Sequence, residues 1–204
     1  TQRNRAGLAG RGDHETGEID ELEFGLGALA DRLKHGLQQG QAILVASYFA
    51  PLEVIVEDST FTINGSESFP NAITISRASE ATIARNIFYL NSTDDGAPSG
   101  ISLNPSAPMR ATVDANVFEG TGAQPGVAIY AEPRASLQLV ATNNVVMNTR
   151  NGITMAPNAG MNALVVNNTI DGSRHRAIEL ADLGGTLAAG FFNNTDIRTV
   201  DPWG

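Results

Sequence analysis

Residues 140–170 read VATNNVVMNTRNGITMAPNAGMNALVVNNTI, and this stretch decides the fold. It holds one arrangement twice: VATNNV at 140–145 and VVNNTI at 165–170 each set an asparagine three places after a valine and an aliphatic residue two places further on. Working outward, IARNIF at 83–88, VDANVF at 113–118 and FFNNTD at 191–196 repeat it. This reading puts Asn86, Asn116, Asn143, Asn168 and Asn194 in one series, each three residues after Ile83, Val113, Val140, Val165 or Phe191. Phe88, Phe118, Val145 and Ile170 follow, and Asp196 breaks the apolar run. VEDSTF carries the pattern one unit back, through Val56, Ser59 and Phe61. A second register interleaves with the first. The strings NAITI, GISL, GVAI, GITM and AIEL align Ile73, Ile101, Val127, Ile153 and Ile178, with Ile75, Leu103, Ile129, Met155 and Leu180 two places on.

Alternation over three to five residues means short strands with one face buried. Pro98, Pro105, Pro108, Pro125, Pro133 and Pro157 exclude long helices between them. A unit of about 26 residues made of such strands cannot bury its own apolar face and must stack on copies of itself. Equivalent side chains then form ladders about 4.8 Å apart, aliphatic ones inside and asparagine amides at a bend. About six coils fit between Ile43 and Ile197 on this spacing.

The repeated V-x-x-N-x-F and G-I-x-L units resemble those of the pectin-lyase-like proteins. The resemblance covers about residues 43–200 and implies an all-β, right-handed, single-stranded parallel β-helix. That superfamily includes polysaccharide lyases, hydrolases, epimerases and esterases as well as tailspikes and adhesins, so the fold names no activity. The motifs of its better-known enzymes are missing. No Gly-His-Gly, Arg-Ile-Lys or Asp-Pro-His-Asp string occurs, and the single lysine, Lys34, lies outside the repeats.

Residues 17–40 follow another rule. Ile19, Leu22, Leu26, Leu29, Leu33 and Leu37 recur at helical spacing opposite Glu21, Glu23, Asp31, Arg32 and Lys34, which predicts an amphipathic α-helix. A solenoid needs its end coil covered, so this helix is expected to cap the β-helix domain of 41–204, with 1–16 a flexible or docked arm. Gly25, Gly27 and Gly36 weaken the helix.

Composition narrows the chemistry. With 13 basic and 22 acidic residues in 204, the net charge is −9, which speaks against nucleic acid. The absence of cysteine removes disulfides, thiolate metal sites and thiol nucleophiles. No apolar run approaches the roughly 20 residues of a membrane span. Charge is unevenly spread: residues 53–132 carry three basic and ten acidic side chains, whereas 150–198 carry four arginines and four carboxylates.

Counting from the asparagines stacks Arg150 under His175 and Asn151 under Arg176. Arg150, Arg174, His175 and Arg176 are therefore the candidate binding group, since guanidinium forks suit carboxylates and sulfates. Asp94 and Asp95 are the candidate metal ligands, with calcium the cation that carboxylates on neighbouring coils would share. No other cofactor is expected; His14, His35 and His175 lack zinc spacing. The expectation is an extracellular, secreted or cell-surface module without catalysis, adhesin-like, structural or glycan-binding, with an anionic polysaccharide as partner. The alternative is a lyase on uronate polymers with an arginine base and calcium in support. Self-association, or a continuation of a parent protein, is expected as well. The outward column Ala84, Asp114, Ala141, Val166 and Phe192 grows apolar toward Asp201-Pro202-Trp203-Gly204, where no cap is evident.

Overall fold

The computed structural model describes residues 34–37, 43–46, 52–65, 71–92, 98–121 and 125–198. The short alternating segments close no core within one turn, and the chain answers by winding through three parallel sheets in succession. Sheet A stacks Ile43–Ala46, Asn71–Arg77, Ser99–Leu103, Val127–Ala131, Asn151–Met155 and Arg176–Leu180. Sheet B stacks Glu53–Glu57, Glu80–Ala84, Met109–Asp114, Leu137–Thr142, Met161–Val166 and Leu187–Phe192. Sheet C holds seven strands, Lys34–Leu37, Thr60–Gly65, Ile87–Ser92, Val117–Thr121, Val145–Met147, Thr169–Asp171 and Thr195–Asp196. Each strand pairs in parallel with its counterpart one turn away. Six strands in a stack are separated by five steps, so the fold is a parallel β-solenoid of about five turns. Among the described residues there is no helix, hence none long and apolar enough to cross a membrane.

Sheets B and C always meet at a corner of two residues. The pairs are Asp58-Ser59, Arg85-Asn86, Ala115-Asn116, Asn143-Asn144, Asn167-Asn168 and Asn193-Asn194. The first member is left-handed every time, with φ between 52° and 56°. The second points inward. Asn86, Asn116, Asn144 and Asn168 are fully buried, and each Oδ1 from Asn116 onward accepts from both the backbone N–H and the Nδ2–H of the asparagine one turn earlier. Each Nδ2 also donates to a main-chain carbonyl of sheet B, that of Asn144 to Val113 at 2.9 Å. Buried amides with every donor used are the condition under which such groups cost nothing to bury. The fourth corner corrects the expected ladder: Asn144 occupies it, and Asn143 is the exposed left-handed residue before it.

That one-residue shift moves neighbouring columns too. Ala141 stands with Val113 and Val165 in the core in place of Val140, and Val146 follows Phe118 in place of Val145. Outside sheet B, the column reads Ala84, Asp114, Thr142, Val166 and Phe192. Inside sheet C the rings of Phe61, Phe88 and Phe118 stack at centroid distances of 5.0 and 4.7 Å. Offset-stacked rings are a favourable core contact, worth about 0.5–1.5 kcal/mol beyond area.

Sheet A differs by two residues from the expected alignment: Ile129, not Val127, stacks on Ile101 and Ile153. Its ladders are Ile43, Ile73, Ile101, Ile129, Ile153 and Ile178, then Val45, Ile75, Leu103, Ala131, Met155 and Leu180. Pairing skips the residue before each isoleucine from the second strand on, namely Ala72, Gly100, Ala128, Gly152 and Ala177. The chain kinks inward there, and a Cβ on Gly100 would lie 2.7 Å from the Phe118 ring. Only the smallest residues fit that approach.

The predicted cap helix does not extend over its last turn. Lys34–Leu37 is a strand, paired residue by residue with Thr60–Ile63. An open sheet edge offers these four residues backbone partners along one side, and a segment carrying Gly36 has little helical preference to set against that. The rest of the 17–40 segment and the 1–16 arm lie outside the described residues.

Candidate functional site

The kink in sheet A decides what faces outward. Because an inward residue is added at Gly152, Asn151 and Thr154 emerge on the same outer side, and Asn151 donates from Nδ2 to Thr154 Oγ1 at 3.2 Å. The outer column is Thr74, Ser102, Tyr130, Thr154 and Glu179, one polar group per turn about 4.8 Å apart. Thr74, Ser102, Asn151 and Thr154 are buried although they face away from the core. The face is a sheltered strip.

Its C-terminal half is a hydrogen-bonded cluster. Glu179 accepts from Asn151 at 2.7 Å, from Thr154 at 3.3 Å and from the Arg176 guanidinium at 2.6 Å. Glu132, in the turn leaving sheet A, accepts from the Tyr130 hydroxyl at 2.9 Å and from Asn158 at 3.0 Å. Burial, then the hydrogen bond to Glu132, then the charges of Glu132 and Glu179 push the Tyr130 phenol up to about 12. Tyrosine is therefore a fixed donor at neutral pH, flanked by two carboxylates, and this half can engage hydroxyl groups with both donors and acceptors.

The predicted basic group lies at the edge of the same strip. The His175 N–H donates to the Arg150 carbonyl and the Arg174 N–H to that of Thr149, both at 2.9 Å, so the two turns stack in the order the spacing implied. Asn151 and Arg176 are register partners, also as counted. Arg174, His175 and Arg176 are exposed and Arg150 is half-buried. Arg176 is committed to Glu179, whereas the Arg150 guanidinium has no partner among the described residues. Asp94 and Asp95 lie outside the described residues. Among those described, no three His, Asp or Glu side chains gather where a cation could be held.

Tyr130, Glu132, Asn151, Thr154, Asn158 and Glu179 were missed by sequence reasoning. The signal was present in AIYAE at 128–132, but aligning Val127 with Ile101 hid it. With Ile129 in that place, Tyr130 falls between Ser102 and Thr154 and the polar column reads off directly. No family model, curated protein or solved structure was found to match this chain.

Proposed function

We propose that this chain is a non-catalytic glycan-binding module of the β-helix kind, working outside the cell, with the outer strip of sheet A as its binding face. The observation that carries the reading is the column Thr74, Ser102, Tyr130, Thr154 and Glu179. A polyhydroxyl polymer lying along the solenoid axis would be met by the half-buried Tyr130 and Glu179, with the buried Thr74, Ser102 and Thr154 as the floor of the strip, and Tyr130 offers its ring to a sugar face. Arg150, Arg174 and His175 sit at the edge of that strip, where they suit the carboxylates or sulfates of an acidic polysaccharide. The extracellular placement rests on the resemblance to pectin-lyase-like proteins.

Affinity electrophoresis against polygalacturonate, alginate, a sulfated glycan and a neutral glucan tests it. Retardation by an acidic polymer, weakened in Tyr130→Ala and Arg150→Ala, is the expected result. Equal mobility in every gel means the strip binds no glycan. The same polymers incubated with the chain, with calcium or with chelator, separate the lyase alternative. New unsaturated uronate ends, lost in Arg150→Ala, would replace binding by catalysis. Against the lyase stands the 2.6 Å ion pair of Arg176 with Glu179, which occupies the guanidinium that would have to reach the substrate.

A further inference from the structure

The sheet A strip holds one anion that no cation answers. Glu132 follows strand Val127–Ala131 and is half-buried. Its Oε2 accepts the Tyr130 hydroxyl at 2.9 Å and its Oε1 the Asn158 amide at 3.0 Å, so each oxygen keeps a lone pair. Both donors are neutral, and they orient the carboxylate without offsetting its charge. No basic side chain among the described residues pairs with Glu132, whereas Glu179 is taken up by Arg176, Asn151 and Thr154. Asn158 spends its Nδ2 on Glu132, and its Oδ1 accepts from no group among the described residues.

A second, independent feature lies two strands away on the same outer column. Thr74 is only 4% exposed, and its Oγ1 meets no hydrogen-bond partner. Register through Ser102 sets it about 10 Å from Tyr130 along the axis. A buried hydroxyl is costly to leave unpaired, and a hydroxyl-bearing chain laid along the strip would supply its partner.

We infer that Tyr130, Glu132 and Asn158 form a subsite for a protonated amine, so that the glycan taken by the strip carries free amino sugars. The inference rests on the strip being a glycan face and names the class of glycan. An ammonium brings three N–H donors and no acceptor. Glu132 and the Asn158 Oδ1 are the acceptors it needs, and the face of the Tyr130 ring attracts a cation directly. A divalent metal ion is a poor match, because hard cations gather six or more oxygens and a single carboxylate stands here. A small amine by itself would leave Thr74 unanswered, whereas an amino-bearing sugar chain reaches both. Arg150, at the other end of the strands, suits acid groups of the same polymer.

Titration calorimetry of the full chain with a glucosamine hexamer and with its N-acetylated counterpart, in mildly acidic buffer where the amines are protonated, tests this. The hexamer with free amines should bind more than about tenfold tighter, and Glu132→Gln should remove that preference. Glu80→Gln removes one exposed carboxylate from sheet B and should leave it intact, which separates the subsite from general attraction to an acidic chain. Thr74→Val should weaken both hexamers alike. Equal binding of the two hexamers, a loss in Glu80→Gln as large as in Glu132→Gln, or native binding by Thr74→Val would overturn the proposal. Binding of polygalacturonate with no preference for the amine overturns the subsite and leaves the glycan face standing. Failure to bind any sugar overturns both.

Discussion

Asn144 and Asn143 are the same residue type side by side and do opposite things. Asn144 is fully buried and supplies the acceptor for the Asn116 N–H and Nδ2–H, while Asn143 turns the chain with φ at 55° and donates to Asp114 from the surface. Asn144→Leu strands those donors and the Val113 carbonyl, and should lower stability by about 1–3 kcal/mol in urea unfolding. Asn143→Gly should change it by only a few tenths of that, since glycine accepts the same backbone. The corner at Ala115 carries the wrong residue for its φ of 53°. Replacing it with asparagine, as three later corners already have, should raise stability by roughly 0.5–1 kcal/mol. Tyr130 gives a pH test. Its phenol is held above the ordinary value near 10, so its contribution is complete below about pH 10 and is lost as pH climbs through about 12. Unfolding midpoints measured across that window should fall more steeply for the native chain than for Tyr130→Phe. Equal slopes would mean the phenol is not held by Glu132.

At the scale of elements, the B–C corner and the sheet A kink set the register, and both are short enough to admit no slack. The corner is always two residues, so the 24- to 30-residue spacing of the asparagines reflects the other two connections. The turn into Val127–Ala131 is tight in the same sense: a Cβ on Gly126 would lie 1.9 Å from the Pro98 carbonyl oxygen, which accepts the Val127 N–H at 2.7 Å. Gly126→Ala should therefore cost about 1–3 kcal/mol, read as a lower denaturation midpoint with an unchanged slope. An unaltered midpoint would show that the turn yields without strain. Register is also where the candidate site was lost to sequence analysis. A slip of two keeps an apolar residue in every place, Val127 for Ile129, so hydrophobicity alone does not expose the error. The small residue at the kink does not distinguish the alignments either, because Gly126 before Val127 is as small as Ala128 before Ile129; only the pairing of Ile129 with Ile101 and Ile153 does.

At the scale of the whole molecule, every strand among the described residues pairs with a segment about one full turn away in sequence, and no hairpin among them brings near neighbours together. Each contact closes a loop of only 24 to 30 residues, roughly an eighth of the chain, which places folding speed between that of helical bundles and β-sandwiches. Refolding by dilution from urea, followed by circular dichroism, should take milliseconds or longer; completion within microseconds would contradict the stacked topology. The charge gradient acts at this scale as well. The acidic 53–132 half and the balanced 150–198 half belong to successive turns of one stack, so a charged ligand approaching along the axis meets two different surfaces.

Periodicity alone pointed to the solenoid, because a repeated unit of short strands that cannot bury its own apolar face must stack on its copies. It also sufficed for the asparagine ladder at Asn86, Asn116, Asn168 and Asn194, and for stacking Arg150 under His175. Tertiary structure decided between Asn143 and Asn144, since the choice rests on a backbone φ. It turned Lys34–Leu37 into a strand, because an open edge of paired backbone outweighs the preference of a glycine-bearing segment. It brought Tyr130, Glu132, Asn151, Thr154 and Glu179 into one strip, because a kink at each Gly or Ala reverses which side chains face out. Local sequence records which residues are apolar, whereas the facing of a side chain follows from the close approach of turns far apart in the chain.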